Sequence, residues 1–218
     1  MNILIIGSSN KIGQRLVTAC LNSSNISSVT SIDKNSIPLF HSKLTQIIFI
    51  KTEQVINAIN TIKDVDVCIY NLSYLNERKG HDEEILHRTT SIIKKLNTAF
   101  PSLVLIYFSC FGADRTESSS VSIMCNAGIA ENAILQCSLE SIYFIRPRVI
   151  KKKSNIIEQV LKIAISLRLF KETLKFKSFA TPFISSKGIA TAILYIISHG
   201  YKSSIIEEED IFRIQLDI

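Results

Sequence analysis

The sequence predicts an α/β protein, a doubly wound parallel sheet with helices on both faces, in a single domain. Three observations predict it. Short apolar, β-branched runs alternate with amphipathic helical stretches along the 218 residues, and this alternation builds a parallel sheet covered on both sides. One run, Leu103–Phe108, is continuously apolar rather than alternating, as a strand buried on both faces must be. The first run passes straight into a turn and a helix bounded by Gly7 and Gly13. No Pro/Gly-rich linker and no internal repeat divides the chain, so one domain spans residues 1–218.

The elements follow in order. Asn2–Ile6 is a strand. Ile12, Leu16, Val17 and Cys20 recur at helical spacing, which predicts a helix over 11–22. Val29–Asp33 and Gln46–Ile50 are apolar runs between polar turns and read as strands. Thr52–Thr61 reads as a helix with Thr52 as its N-cap. Asp66–Asn71 is strand-like. From Ile85 to Phe100 an apolar stripe marks a long helix that stops before Pro101. After the strand Leu103–Phe108, a helix over 126–137 carries Ala130, Ala133, Ile134 and Cys137 on one stripe. Ser141–Ile145 is the next strand, ended by Arg146-Pro147. Ile156 to Leu167 gives another amphipathic helix, and Ser186–Ser198 a further one. The run Glu207–Asp210 begins a terminal helix, where negative charge meets the positive end of the helix dipole.

Composition narrows the classes. Apolar residues are 46% and charged residues 20%, a globular balance that excludes disorder, collagen and coiled coil. The five cysteines form no CxxC pair, so neither a zinc ribbon nor a disulfide framework is expected. No apolar run approaches a membrane span, and the N-terminus lacks the basic region of a signal peptide. The expectation is a soluble, cytoplasmic protein, monomer or homodimer. Ten basic residues against two acidic ones make 146–177 a +8 stretch in a chain of +6. It reads as a solvated face or as a site for an anionic substrate or acidic partner. Lys151–Lys153 have no interleaved aromatics, so nucleic acid is not the expected partner.

The chemistry sits in the first turn. Where a buried strand gives way to a helix, the amides of the first helical turn lack partners and the dipole adds positive charge, so a pyrophosphate fits. Gly7 permits the tight turn, and Gly13 lets the helix lie close to the sheet. Ser8 and Ser9 offer hydroxyls to phosphate oxygens. Asn10 stands where many dinucleotide turns carry a third glycine, and asparagine is the best replacement where φ must be positive. No Lys-Ser/Thr follows Gly13, so the turn is not that of a nucleoside triphosphatase. Asp33 closes the second strand twenty residues after Gly13. Its carboxylate suits the ribose hydroxyls of NAD, while Lys34 beside it suits a 2′-phosphate. NAD is slightly favoured over NADP.

Together these pieces resemble the atypical short-chain dehydrogenase/reductase superfamily, on its NmrA-like, NAD(P)H-binding side. The residues that carry the resemblance are Ile5–Gly13, Asp66–Leu72, Ile106–Asp114, Glu131–Ala133, Tyr143–Pro147 and Thr181–Ala190. The resemblance implies a Rossmann-like sheet with a small substrate or partner region over about 148–183. It implies that Gly7, Ser9, Asn10, Lys11, Ile12 and Gly13 hold the pyrophosphate, and that Asp33 and Lys34 meet the adenosine ribose. Asn71, Leu72 and Ser73 then pass near the nicotinamide ribose, and Ser109 takes the catalytic-serine position. No metal is implied.

The departure matters as much as the match. Catalytic members carry Tyr-x-x-x-Lys after that serine, the Tyr as proton donor and the Lys lowering its pKa. Aligned on Gly128 and Glu131, those positions are Ile123 and Ala127. Tyr74 is the candidate replacement acid. Two readings stay open: an oxidoreductase acting on a small carbonyl, flavin or quinone-like acceptor, or a non-catalytic, dinucleotide-dependent redox sensor or regulatory binder. His81 and His87 are spaced wrongly for one helix face and read as an exposed first turn. Cys110 has no histidine nearby and reads as a buried small apolar residue.

Overall fold

The computed structural model describes residues 1–71, 82–147 and 184–217. Seven strands and six helices occur among them. In chain order they are β1 (Asn2–Ile6), α1 (Lys11–Leu21), β2 (Ser28–Asp33), β3 (Leu44–Ile48), α2 (Thr52–Thr61), β4 (Val67–Tyr70) and α3 (Asp82–Ala99). There follow β5 (Val104–Phe108), α4 (Ser122–Leu135), β6 (Ser141–Ile145), α5 (Ser186–His199), β7 (Ile205–Ile206) and α6 (Glu208–Leu216). All strand pairs are parallel, in the order β3-β2-β1-β4-β5-β6-β7.

The apolar runs supply two cores, because successive strand residues point to opposite faces. On one face Ile3 and Ile5 of β1, Ile69 of β4, and Ile106 and Phe108 of β5 pack against Leu16 and Val17 of α1, Ile189 and Ile193 of α5, and Ile211 of α6. On the other face Leu4, Ile6, Cys68, Tyr70, Leu105 and Tyr107 pack against Val55 and Ile59 of α2, Ile92 and Leu96 of α3, and Ile134 of α4. Helices on both faces make the sheet doubly wound, as expected from the sequence.

Three local expectations shift. The third strand is Leu44–Ile48, two residues earlier than expected. It pairs with β2, which ends at Asp33 opposite Ile48, so the ladder cannot extend to Ile50. Ile50 is left 80% exposed. The N-cap of α2 is Lys51, not Thr52, and the Gln54 side chain closes the end by accepting from the amides of Ile50 and Lys51. The helix expected over 126–137 begins at Ser122, because Met124 and Cys125 already donate to the Val121 carbonyl. The helix expected between Ile156 and Leu167 lies outside the described residues.

Candidate functional site

The strand order reverses between β1 and β4. Outward crossovers from these two neighbours leave a crevice beyond their C-terminal ends, where ligands of such sheets bind. Ile6, Tyr70 and Tyr107 stand side by side in the ladder, so the chain leaves the same edge through Gly7, Asn71 and, one residue on, Ser109.

The turn after β1 is held from three sides. Gly7 has φ 91°, a left-handed conformation that glycine adopts freely. The Asn71 side-chain nitrogen, buried at the end of β4, donates to the Gly7 carbonyl at 2.8 Å and to Asn10 Oδ1 at 3.1 Å. A Cβ on Gly13 would lie 2.5 Å from the Gly7 carbonyl oxygen, so α1 crosses this turn only because residue 13 is glycine. The close approach expected of Gly13 is therefore present.

Two expectations at the turn are corrected. Asn10 does not take a positive φ. Its φ is −77°, and it caps α1, with Oδ1 accepting from the amides of Ile12 at 3.0 Å and Gly13 at 2.9 Å. A short polar side chain at the start of a helix satisfies its own orphan amides. Ser8 does not offer its hydroxyl to a ligand. It is fully buried and shares a hydrogen bond of 2.6 Å with Ser31 Oγ on β2.

Asp33 is 6% exposed at the end of β2. Its Oδ2 accepts from the Ser9 amide at 2.7 Å and its Oδ1 from the Lys34 amide at 2.6 Å. The carboxylate thus ties the β1 turn to the β2 turn. Each oxygen keeps lone-pair capacity for a further donor. Lys34, next along the chain, and Lys11, at the start of α1, are exposed.

At the end of β5 the structure brings together residues that sequence reasoning had not joined. Glu131, on α4, is fully buried. Its Oε1 accepts from Ser109 Oγ at 2.6 Å and from Arg146 Nε at 2.9 Å, and its Oε2 accepts from Arg115 Nε at 2.7 Å and from Arg146 Nη2. The Arg115 guanidinium also lies over the Phe144 ring, 4.7 Å from its centroid. Burial works against the Arg146 charge, but the hydrogen bond and charge of Glu131 outweigh it and hold the guanidinium above its ordinary pKa. Buried charges persist where they are paired and fully hydrogen-bonded. A signal was present in the sequence: Glu131 falls on the buried stripe of α4 with Ala127, Ala130 and Ile134, and a carboxylate on such a stripe needs a cation.

Cys110, next to Ser109, is 9% exposed and packs with Ala113 and Ala127. Burial pushes its thiol up, Glu131 adds to that, and Arg146 opposes it in part. A protonated thiol is a poor nucleophile, which fits the apolar role expected of it. Ile123 and Ala127 stand on the first two turns of α4. Ile123, Val121 and Phe111 are exposed apolar residues on the segments flanking Ser109 and Cys110. Leu72, Ser73 and Tyr74 lie outside the described residues, as do His81 and the basic stretch from Arg148 to Lys177.

No family model matches the sequence, and no curated protein does. Solved structures do match. A short-chain dehydrogenase family protein from Francisella tularensis is 15% identical over 95% of this chain and 96% of its own, with a TM-score of 0.62. A short-chain dehydrogenase from Burkholderia cenocepacia in complex with NADP is 12% identical over 94% and 86%, with a TM-score of 0.60. A dTDP-glucose 4,6-dehydratase from Bacillus anthracis in complex with NAD is 16% identical over 95% and 74%, with a TM-score of 0.60. The fold is Rossmann-like. Its neighbours include NAD(P)-binding oxidoreductases of the short-chain type. Among the described residues no helix is long and apolar enough to cross a membrane.

Proposed function

We propose that the protein binds a nicotinamide dinucleotide across the ends of β1 and β4 and acts as an oxidoreductase of the atypical, NmrA-like short-chain type in the cytoplasm. The observation that carries the reading is the Gly7–Gly13 turn, stitched to Asp33 on one side and Asn71 on the other at the point where the strand order reverses. The turn fits a pyrophosphate. The amides of Asn10 and Lys11 have no acceptor among the described residues, and the Lys11 side chain is exposed beside them. The amides of Ile12 and Gly13 become available once the Asn10 side chain swings aside. Asp33 and Lys34 would meet the adenosine ribose. Asn71, with Leu72 and Ser73 after it, and Ser109 would flank the nicotinamide end.

A bound dinucleotide supplies the hydride, and this chain supplies orientation. The family's proton donor and its lysine fall at Ile123 and Ala127, and neither side chain can move a proton. The reading therefore favours a flavin or quinone-like acceptor, whose proton comes from solvent, over a carbonyl. The apolar surface of Phe111, Val121 and Ile123 suits a planar apolar acceptor.

The test is thermal unfolding with NAD, NADH, NADP and NADPH, followed by turnover with a panel of flavins, quinones and small carbonyls. A ligand at 100 times its Kd adds about 2.7 kcal/mol, or several degrees for a chain of this size. No shift with any of the four would refute dinucleotide binding. A second reading, a non-catalytic redox sensor that binds a protein partner, is favoured by the Ser109 hydroxyl being engaged by Glu131. It predicts a thermal shift with no turnover on any acceptor.

A further inference from the structure

The Ser109 hydroxyl has one hydrogen, and its destination decides what Ser109 offers a ligand. Four hydrogen bonds converge on the Glu131 carboxylate, from Ser109 Oγ, Arg115 Nε, Arg146 Nε and Arg146 Nη2. The two guanidiniums are obligate donors. A carboxylate that receives them accepts from the serine as well, so the Ser109 hydrogen points to Glu131 at 2.6 Å. The geometry is fixed from the protein side. Glu131 is fully buried, Arg146 is 8% exposed, and the Ser109 amide is tied to the Ile145 carbonyl at 2.9 Å. A hydroxyl whose proton is committed to a carboxylate can meet a further group only with its lone pairs.

We infer that Glu131 is a positioning residue that holds the Ser109 hydroxyl inward, so that Ser109 presents a hydrogen-bond acceptor to the crevice and selects a ligand carrying a donor there, the N–H of the nicotinamide carboxamide. This rests on the dinucleotide reading above and adds to it the polarity of one contact. Ser109 leaves the sheet edge two residues beyond Tyr107, the β5 residue aligned with Tyr70 of β4, on the side of the crevice away from Asp33. That is the nicotinamide end of a ligand whose adenosine lies at Asp33. A serine donating to a substrate oxygen would need its hydrogen free, and here the carboxylate holds it.

The experiment compares NAD with 3-acetylpyridine adenine dinucleotide, which keeps the carbonyl but replaces the amide N–H₂ with a methyl. ADP-ribose, which lacks the ring, serves as the control. Binding is measured by calorimetry for the wild type, S109A and E131Q, with melting curves to show that each variant is folded. The wild type should prefer NAD over the acetyl analogue by about fivefold, the worth of one hydrogen bond. S109A should lose that preference while ADP-ribose affinity stays constant. In E131Q, where the amide can donate to Ser109 and release its hydrogen outward, the preference should shrink or invert. A merely structural role would lower all three affinities together and leave the ratio unchanged. S109A stands alone as the decisive variant if E131Q does not fold. Equal affinity for the two dinucleotides in the wild type, or a preference that survives S109A, overturns the inference and leaves dinucleotide binding intact. No affinity for ADP-ribose in the wild type overturns the dinucleotide reading and this inference with it.

Discussion

Asn10→Ala isolates the most unusual feature of the turn between β1 and α1. Asn10 Oδ1 accepts three hydrogen bonds, from the amides of Ile12 and Gly13 and from the Asn71 side chain. Its φ of −77° is one that alanine adopts without strain, so the substitution removes the cap and little else. Loss of such a cap costs about 1 kcal/mol. That lowers the melting temperature by roughly 2–4 °C in a chain of this length. The Asn71 nitrogen keeps its second acceptor, the Gly7 carbonyl at 2.8 Å, and adds little to the loss. A pyrophosphate that uses the same amides must displace the cap in the wild type. With the cap gone, that cost of about 1 kcal/mol disappears and affinity rises about fivefold, since about 1.4 kcal/mol is tenfold. Calorimetric titration with ADP-ribose and with adenosine reads the effect. ADP-ribose should bind about fivefold more tightly to the less stable variant, and adenosine should be unchanged. Equal or weaker ADP-ribose binding by the variant would refute the claim that Asn10 and the ligand compete for those amides.

Three further outcomes are expected. Ser8→Ala should cost about 1–2 kcal/mol, because it strands the buried Ser31 hydroxyl. Dinucleotide affinity in that variant should stay within about twofold; a larger loss in titration would show that Ser8 faces the ligand after all. Gly128→Ala should destabilise by at least about 2 kcal/mol in urea unfolding. An added Cβ there would sit 1.7 Å from the Asp114 carbonyl oxygen, so α4 would have to leave the 112–115 loop; near-wild-type stability would contradict that packing. Burial pushes the Cys20 thiol from 9.0 up to about 12. The folded state therefore holds its proton more tightly. Its contribution is whole below pH 9 and falls by roughly 1.4 kcal/mol per pH unit from there to about 12. Urea midpoints between pH 8 and 11 should fall less steeply for Cys20→Ala than for the wild type, and parallel slopes would contradict the assignment.

The fold was legible because its signals are local. A continuous apolar run such as Leu103–Phe108 states that both faces of a strand are covered, and the stripe from Ile85 to Phe100 states one buried helix face. Gly7 and Gly13 were legible for the same reason, since a backbone turn and a close approach are demands on the residue itself. The end of β3 was not. It depends on where its partner β2 stops, and no property of Ile48 or Ile50 records that.

The site divides in the same way. By itself the sequence determined the place of the crevice, the glycines of its turn and the carboxylate Asp33 beside it. These follow from residue type and spacing along one βαβ stretch. Only the tertiary structure decided where the hydrogen bonds of that site go. Ser8 faces Ser31 across two strands, Asp33 reaches back to the Ser9 amide, and Asn10 is reached by Asn71 from 61 residues away. Glu131 gathers Ser109 and Arg115 from the β5–α4 connection and Arg146 from the end of β6. Periodicity reports which face of an element is buried. A hydrogen bond depends on which atom stands opposite, and that is set when the elements pack.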